Sequence, residues 1–288
     1  MPIDYERLKA RAFADVEQVY TARDTILYAL GIGVGADPLD KAQVRFTFEE
    51  ADGFAPLPTM PVVMASPGFW VREPGSGVTW QQVLHGEQRL TLHNPMPPSG
   101  VLVGRTRIDE IIDKGPGKGA VIYLVRDVND KETSLPIATS VSTVFARADG
   151  GFGGPSGPSL PVHKLPERAP DLVNEVATLP QAALIYRLSG DSNPLHASPQ
   201  VAQGAGFRAP ILHGLCSYGI AGWSILRSCC DADPARLKQF DLRFSSPVFP
   251  GETLRTEIWR DRDEVLFRTI VAERGAVVLN NGYARVAS

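Results

Sequence analysis

Residues 212–229 read LHGLCSYGIAGWSILRSC, and this stretch decides the fold. From Leu215 to Cys229 it is apolar for most of its length, and it includes the small residues Gly219, Ala221 and Gly222. A helix that is apolar on nearly every side has to be buried on nearly every side. The sequence therefore predicts a central helix, Leu215–Cys229, enclosed by other elements.

After this helix the hydrophobic period changes to two. Leu254, Thr256 and Ile258 alternate with Arg255, Glu257 and Trp259, which is typical of a half-buried strand. Further strands are predicted over Val265–Glu273 and Val277–Val286, with turn residues between them. Antiparallel hairpins that wrap one apolar helix predict an α+β fold.

The composition is that of a folded globular protein. Of 288 residues, 43% are hydrophobic and 21% charged, and the formal net charge is −3. Without a basic excess, the sequence predicts neither nucleic acid nor an anionic membrane as a partner. No apolar run reaches the roughly 18 residues that a membrane span needs. Because the first residues also lack the apolar core of a signal peptide, we expect a cytoplasmic location.

The three cysteines, Cys216, Cys229 and Cys230, are predicted to be buried free thiols. An odd number with two adjacent residues does not suggest a disulfide framework, and no CxxC or HxH pattern points to a metal site.

A proline- and glycine-rich segment divides the chain. Residues 149–170 read DGGFGGPSGPSLPVHKLPERAP. Proline lacks an N–H donor and glycine weakens regular elements, so this segment is predicted to be a linker. The sequence thus predicts an N-terminal domain (1–148), a linker (149–170) and a C-terminal domain (171–288).

Two short echoes link the halves. Residues 84–86 and 212–214 both read LHG, and residues 97–102 resemble residues 249–254. The distance between the two echoes is much shorter in the first half, by about the length of the predicted helix. We interpret this as an internal duplication whose first copy lost its central helix, with coincidence as the alternative.

The densest polar cluster lies just before the central helix. Residues 186–196 read YRLSGDSNPLH and bring Asp191, Asn193 and His196 into one loop. A carboxylate and an imidazole can share one water, one taking its proton and the other supplying a proton to a substrate. The alternative is a polar turn, since Asp and Asn often bond their own backbone.

Gly214 stands at the predicted start of the helix. The first N–H groups of a helix lack intrahelical partners, and glycine allows a ligand to approach closely. Such an N–H suits a developing enolate oxygen. A tight helix entry without a ligand explains the glycine equally well.

Several motifs together resemble one family. YRLSGDSNPLH (186–196) and AGFRAPILHGL (205–215) resemble the hydratase 2 motif of MaoC-like (R)-specific 2-enoyl-CoA hydratases. The two-domain, eukaryotic-type form, as in the peroxisomal type 2 multifunctional enzyme, is matched at further places. These are TARDTILYALGIGVG (21–35), VLHGEQ (83–88), DKGPGKGA (113–120), GGFGG (150–154) and RFSSPVFPGETL (243–254).

This resemblance implies a double hot dog fold, in which two antiparallel sheets are present and only the C-terminal copy keeps the central helix. It implies reversible syn addition of water to trans-2-enoyl-CoA thioesters in fatty acyl-CoA metabolism, giving the (3R)-hydroxyacyl-CoA. It further implies a homodimer and an acyl-CoA substrate, with no metal and no cofactor beyond the coenzyme A carried by the substrate.

The resemblance also assigns roles to individual residues. Asp191 and His196 are implied to activate the water, Asn193 to orient it, and the Gly214 N–H to hold the thioester oxygen. Glu49 aligns with a glutamate that matters in the eukaryotic-type members. Substrate contacts are implied for His85, Gly86, Lys114, Tyr28, Tyr186, His213 and Phe244.

One residue departs from the family pattern. Ser198 stands where many members have an acidic residue after the histidine. Because Asp191, Asn193 and His196 are intact, activity is still expected. Two alternatives to a general hydratase stay open. One is a dehydratase restricted to a special acyl-CoA with a steroid side chain, a branched chain or a dicarboxylic chain, and the other is a non-catalytic acyl-CoA-binding module.

Overall fold

The computed structural model describes residues 2–287, which form ten strands and six α-helices. The strands are β1 (Val16–Tyr20), β2 (Val83–Leu92), β3 (Gly100–Asp113), β4 (Ala120–Asp130), β5 (Pro136–Ala146), β6 (Leu172–Ala177), β7 (Leu237–Phe244), β8 (Thr253–Asp261), β9 (Glu264–Val271) and β10 (Ala276–Val286). The helices are α1 (Tyr5–Lys9), α2 (Ala22–Gly31), α3 (Lys41–Thr47), α4 (Ala182–Tyr186), α5 (Pro199–Gly204) and α6 (Gly214–Cys229).

All ten strands belong to one antiparallel sheet, in the order β1-β3-β4-β5-β2-β7-β10-β9-β8-β6. The halves meet where β2 pairs with β7, from Glu87↔Arg243 to Thr91↔Gln239. The two sheets expected from the sequence are therefore the halves of a single sheet. Backbone hydrogen bonding across this junction satisfies two strands that would otherwise be exposed edges.

The two halves have the same strand order, read from their outer edges to the junction. β1 to β5 follow each other as β6 to β10 do, which supports the predicted internal duplication. The echo between residues 97–102 and 249–254 fits this correspondence, because these segments lead into β3 and β8. The LHG echo does not, because residues 84–86 lie in β2 whereas residues 212–214 begin α6.

The predicted central helix is confirmed as α6. It packs on one face of the C-terminal half, here called the inner face, and most of its side chains are buried. The Tyr218 hydroxyl donates to the Phe240 carbonyl of β7 at 2.8 Å. Two glycines allow close packing, since a Cβ at Gly219 would lie 2.8 Å from Ile32, and one at Gly222 would lie 2.4 Å from Thr59.

The N-terminal half has no comparable helix among the described residues. Its longest helix, α2, has 10 residues, and short 3-10 turns with their connecting segments cover much of the inner face. Trp70 and Val71 pack there against Ile108 and Ile122. The connections β1–β2 and β6–β7 are of similar length, so the helix was replaced by irregular chain and not deleted.

The segment 149–170 has no helix or strand and runs along the opposite, outer face of the sheet. Arg89 of β2 donates to the Pro161 carbonyl at 2.8 Å, and Asn281 of β10 donates to the His163 carbonyl at 2.8 Å. This segment thus contacts both halves of the sheet.

Two further features bear on the sequence predictions. Cys216, Cys229 and Cys230 are buried free thiols, as predicted. Within residues 2–287, no helix is both long enough and apolar enough to cross a bilayer.

Candidate active site

The loop that follows α4 is held by its own side chains. Gly190 has φ = 121°, a left-handed conformation that favours glycine. The Asp191 Oδ1 accepts from the Asn193 N–H at 3.0 Å, and the Asn193 Oδ1 accepts from the Leu195 N–H at 3.1 Å. Asn193 therefore caps the 3-10 turn Pro194–His196, and this turn places the His196 side chain in the protein interior.

His196 is buried and its tautomer is fixed by one contact. Its Nδ1 lies 2.8 Å from the Ile211 carbonyl oxygen, which only accepts. Nδ1 must therefore carry the proton, and Nε2 of the neutral ring keeps a lone pair. Burial lowers the pKa of His196 below its usual 6.5, so the imidazole is neutral and basic near pH 7.

His213 supports both members of the predicted pair. It precedes the first turn of α6 and is 1% exposed, and its ring stacks on that of His196 with centroids 3.8 Å apart. Its Nε2 lies 3.2 Å from the Asp191 carbonyl oxygen. Burial and the neighbouring His196 lower the pKa of His213 to about 4, so both rings are uncharged at neutral pH.

Side-chain donor atoms of Asp191, His196 and His213 all lie within 4.8 Å of one another. Such a group invites a metal ion, but a metal lies in the plane of each imidazole that binds it. The two rings are stacked with an interplanar angle of 28°, so their lone pairs do not converge on one point. The arrangement therefore suits a shared water better than a metal.

Gly214 lies beside this cluster as the first residue of α6. Its N–H has no intrahelical partner and points out of the positive end of a 16-residue helix. A Cβ at this position would lie 3.1 Å from the Phe244 ring, and that ring lies 4.6 Å from the His85 ring, centroid to centroid. Phe244 and His85 thus lie side by side next to Gly214.

The two predicted tyrosines lie behind the cluster. Tyr28 and Tyr186 are fully buried with ring centroids 6.0 Å apart, and the Tyr186 ring lies 5.2 Å from that of His213. The Tyr28 hydroxyl bonds the Thr59 hydroxyl at 3.0 Å. Both side chains pack behind the catalytic cluster and are not exposed to solvent.

Gly86 and Lys114 lie along the rim of the sheet. Gly86 sits at a bulge of β2, next to His85. Lys114 follows the end of β3. It lies on the same rim as His85, because the strand register pairs Asp113 with Ala120, Ala120 with Ala146, and Ala146 with Val83. Three strand spacings correspond to roughly 14 Å. This distance suits contact with a remote part of a long substrate.

The structure does not bring Glu49 to the cluster, so its expected catalytic position is corrected. Glu49 is exposed in the turn after α3. Arg45 joins this region to the Ala232 carbonyl, just beyond the C-terminal end of α6. A 16-residue helix is roughly 24 Å long, which separates that end from Gly214.

Four buried polar atoms without a hydrogen-bond partner occur in or beside this loop: Tyr186 OH, Arg187 Nε, Ser189 Oγ and His213 Nδ1. Buried polar groups are rarely unpaired, so their clustering marks a place where water or a ligand completes the network. Arg187, Ser189 and the Ile211 carbonyl were not among the predicted site residues, because nothing in their residue types distinguishes them within the motifs that contain them. Ser198, which departs from the family pattern, caps α5.

Comparison with known proteins gives consistent matches along the chain. Residues 161–281 match the family described as MaoC like domain, and residues 19–148 match the MFE-2 hydratase 2 N-terminal domain. A protein of Dictyostelium discoideum named probable enoyl-CoA hydratase 2 is 38% identical over 293 residues, which cover 99% of this chain and 97% of that one.

Solved structures give the same picture. A MaoC-like dehydratase from Phytophthora capsici is 34% identical, with a TM-score of 0.87 and 98% of both chains covered. A Mycobacterium tuberculosis protein with a double hot dog fold is 15% identical, with a TM-score of 0.57 and coverage of 99% and 98%. At that identity the second match shows the fold alone, which is the double hot dog expected from the sequence.

Proposed function

The chain belongs to the MaoC-like family of hydratase 2 proteins, and from that premise we propose that it is an (R)-specific 2-enoyl-CoA hydratase. The observation that carries the proposal is one cluster of a carboxylate and a neutral imidazole beside an unpaired helix N–H. In this proposal the protein adds water across the 2,3 double bond of a trans-2-enoyl-CoA and forms the (3R)-hydroxyacyl-CoA. The reverse reaction is the dehydration.

The geometry supports a role for each residue of the cluster. Asp191 and His196 hold the water; as its oxygen bonds to C3, the pair accepts one of its protons, and the same proton is then delivered to C2 of the substrate, so that the pair returns to its starting state. His196 enters as the neutral base because Ile211 occupies its Nδ1. The Gly214 N–H donates to the thioester oxygen as negative charge develops there, and His213 positions the pair.

Further features of the proposal rest on the resemblance. We propose contacts of His85, Gly86, Phe244 and Lys114 with the acyl-CoA, where Lys114 acts as a point charge for a phosphate. We propose the division into residues 1–148, 149–170 and 171–288. A homodimer, a cytoplasmic location and independence from metals and added cofactors complete the proposal.

The direct test is hydration by the purified protein. Incubation with trans-2-enoyl-CoA thioesters of short, medium and long chains, and with a steroid-derived one, should remove the conjugated-thioester absorbance for at least one of them. Chiral analysis should give the 3R product. A 3S product contradicts the proposal, and so does the absence of hydration with every thioester, which would favour a binding module.

The activity should persist into mildly acidic solution. Because burial lowers the pKa of His196 below 6.5, the base stays unprotonated when a free imidazole would already be charged. In a pH profile of kcat/KM, the limb on which activity falls with acid should therefore lie below pH 6.5. A fall that begins above this value would show that His196 is not the shielded base described here.

A further inference from the structure

One buried carboxylate lies outside the proposed machinery, in the loop before β8. Glu252 is 9% exposed. Its Oε1 accepts from the Arg274 Nε at 2.8 Å, and its Oε2 accepts from the Phe249 N–H at 2.8 Å. Burial raises the pKa of Glu252, but the bonds from Arg274 and Phe249 outweigh this effect and hold the pKa below its usual value. The side chain is therefore a buried anion at neutral pH.

Two peptide groups lie between this carboxylate and the imidazole of His196. The His196 Nδ1 donates to the Ile211 carbonyl at 2.8 Å. In the same peptide group, the Leu212 N–H donates to the Val248 carbonyl at 2.7 Å. The Val248 carbonyl shares its peptide group with the Phe249 N–H, which donates to the carboxylate. An unbroken chain of three hydrogen bonds therefore joins the imidazole to the carboxylate.

Arg274, in the turn after β9, holds the far end of this chain. Its Nη2 donates to the Glu252 Oε2 at 3.2 Å and also to the Pro247 carbonyl. Pro247 and Phe249 flank Val248, so the Glu252–Arg274 pair binds the backbone on both sides of the residue whose carbonyl takes part in the chain. The carboxylate and the peptide group next to it are thus fixed relative to each other.

We propose that Glu252 is a positioning residue for the catalytic base, and that its negative charge acts through the two peptide groups to orient His196 and to strengthen it as a base. This inference rests on the proposed function. Hydrogen bonds in a chain polarise one another, so a full negative charge at one end makes the Ile211 carbonyl a stronger acceptor at the other. A stronger acceptor at Nδ1 favours the imidazolium that forms when Nε2 takes a proton.

Other charged and titratable groups face the two ends of the chain. Asp191 and His213 lie beside His196. At the other end, the exposed Arg208 approaches the Glu252 Oε1 to 3.9 Å, in addition to Arg274. These groups are all retained when Glu252 alone is replaced, so a change in the pH dependence of that variant reports on the carboxylate.

Glu252→Gln removes the charge but keeps an oxygen that can accept from the Phe249 N–H. The loop should stay folded, because the Thr178 hydroxyl still bonds the Glu252 carbonyl and the Gly251 N–H. We expect kcat for crotonyl-CoA to fall roughly threefold to 20-fold and KM to change by no more than about twofold, since only the base is weakened. Glu252→Asp, which keeps the charge, should retain more activity than Glu252→Gln.

The pH profile of kcat/KM is the second measurement. Because His196 loses basicity in Glu252→Gln, the limb on which activity falls with acid should move down by roughly 0.3 to 1 pH unit. A displaced loop alone would lower activity without moving this limb.

Glu257→Gln is a matched control on the same hairpin. Glu257 is 8% exposed and accepts from the Arg268 Nε at 2.7 Å, but on the outer face of β8. The control should lower thermal stability about as much as Glu252→Gln, yet leave kcat within about twofold and the acid limb in place, since distant sites act independently. Equal falls in kcat for the two variants, or an unmoved acid limb in Glu252→Gln, would overturn the inference.

A measurement without substrate separates this inference from the proposed function. If the wild type hydrates no thioester, the proposed function fails, and nuclear magnetic resonance still decides on Glu252. The His196 ring signals, assigned with His196→Gln, should titrate at a lower pH in Glu252→Gln than in the wild type. An unchanged titration would contradict the proposed action of the carboxylate on His196.

Discussion

Replacing Asp191 with asparagine should lower kcat by roughly 10²- to 10⁴-fold, the range for loss of a general acid–base group. The amide keeps an oxygen that can accept from the Asn193 N–H, and the backbone carbonyl still meets His213. The loop should therefore keep its shape, while the side chain can no longer take up a proton. The measurement is steady-state hydration of crotonyl-CoA, with thermal unfolding and CoA binding measured in parallel.

Asp233→Asn is the matched control for this prediction. The Asp233 Oδ1 also accepts from an N–H two residues later, Ala235, but in an exposed turn beyond α6. The same chemical change there should leave kcat within about twofold, because surface substitutions away from a site have small effects. An Asp191→Asn enzyme with nearly full activity would remove Asp191 from the mechanism.

Replacing Gly214 with proline should lower kcat by roughly 10²- to 10³-fold, the usual effect of deleting an oxyanion donor. Proline removes the N–H that is proposed to hold the thioester oxygen. It is tolerated at the first position of a helix, and His213 already has the extended backbone, φ = −60° and ψ = 136°, that a residue before proline prefers. The helix should therefore still begin at this residue.

Gly214→Ala separates loss of the donor from added bulk. Alanine introduces the same Cβ, which would lie 3.1 Å from the Phe244 ring, but it retains the N–H. The difference in kcat between the two variants measures the N–H itself. Equal activities, with equal thermal stability, would show that this N–H does not stabilise the enolate.

The sequence predicted the elements whose pattern is local. The apolar run that became α6 and the alternating residues of β8 to β10 lie where expected. Expectations that depended on other parts of the chain were less successful. Residues 179–188 have apolar residues at helical spacing after Thr178, a residue type that often caps helices, and this pattern predicts a helix over 179–188. In the structure Thr178 bonds the Glu252 carbonyl, and α4 spans only Ala182–Tyr186. Such a tertiary contact leaves no local signal.

The candidate site shows the same division. The loop motif identified Asp191 and His196, because both residues and the turn that holds them lie in one short segment of the sequence. The Ile211 carbonyl sets the tautomer of His196, yet any residue type could supply it. Glu49 was assigned by alignment with a family, and alignment does not report distance. Its location beyond the other end of α6 became visible only in three dimensions.

The junction between β2 and β7 has a consequence for how the enzyme would respond to dilution. Residues from both halves form the site, with His85 from the first half against Phe244 from the second. Because one chain carries both, their effective concentration is set by covalent connection and does not depend on encounters between molecules. The specific activity should therefore stay constant at enzyme concentrations far below those at which separate subunits would dissociate, whether or not two chains also pair.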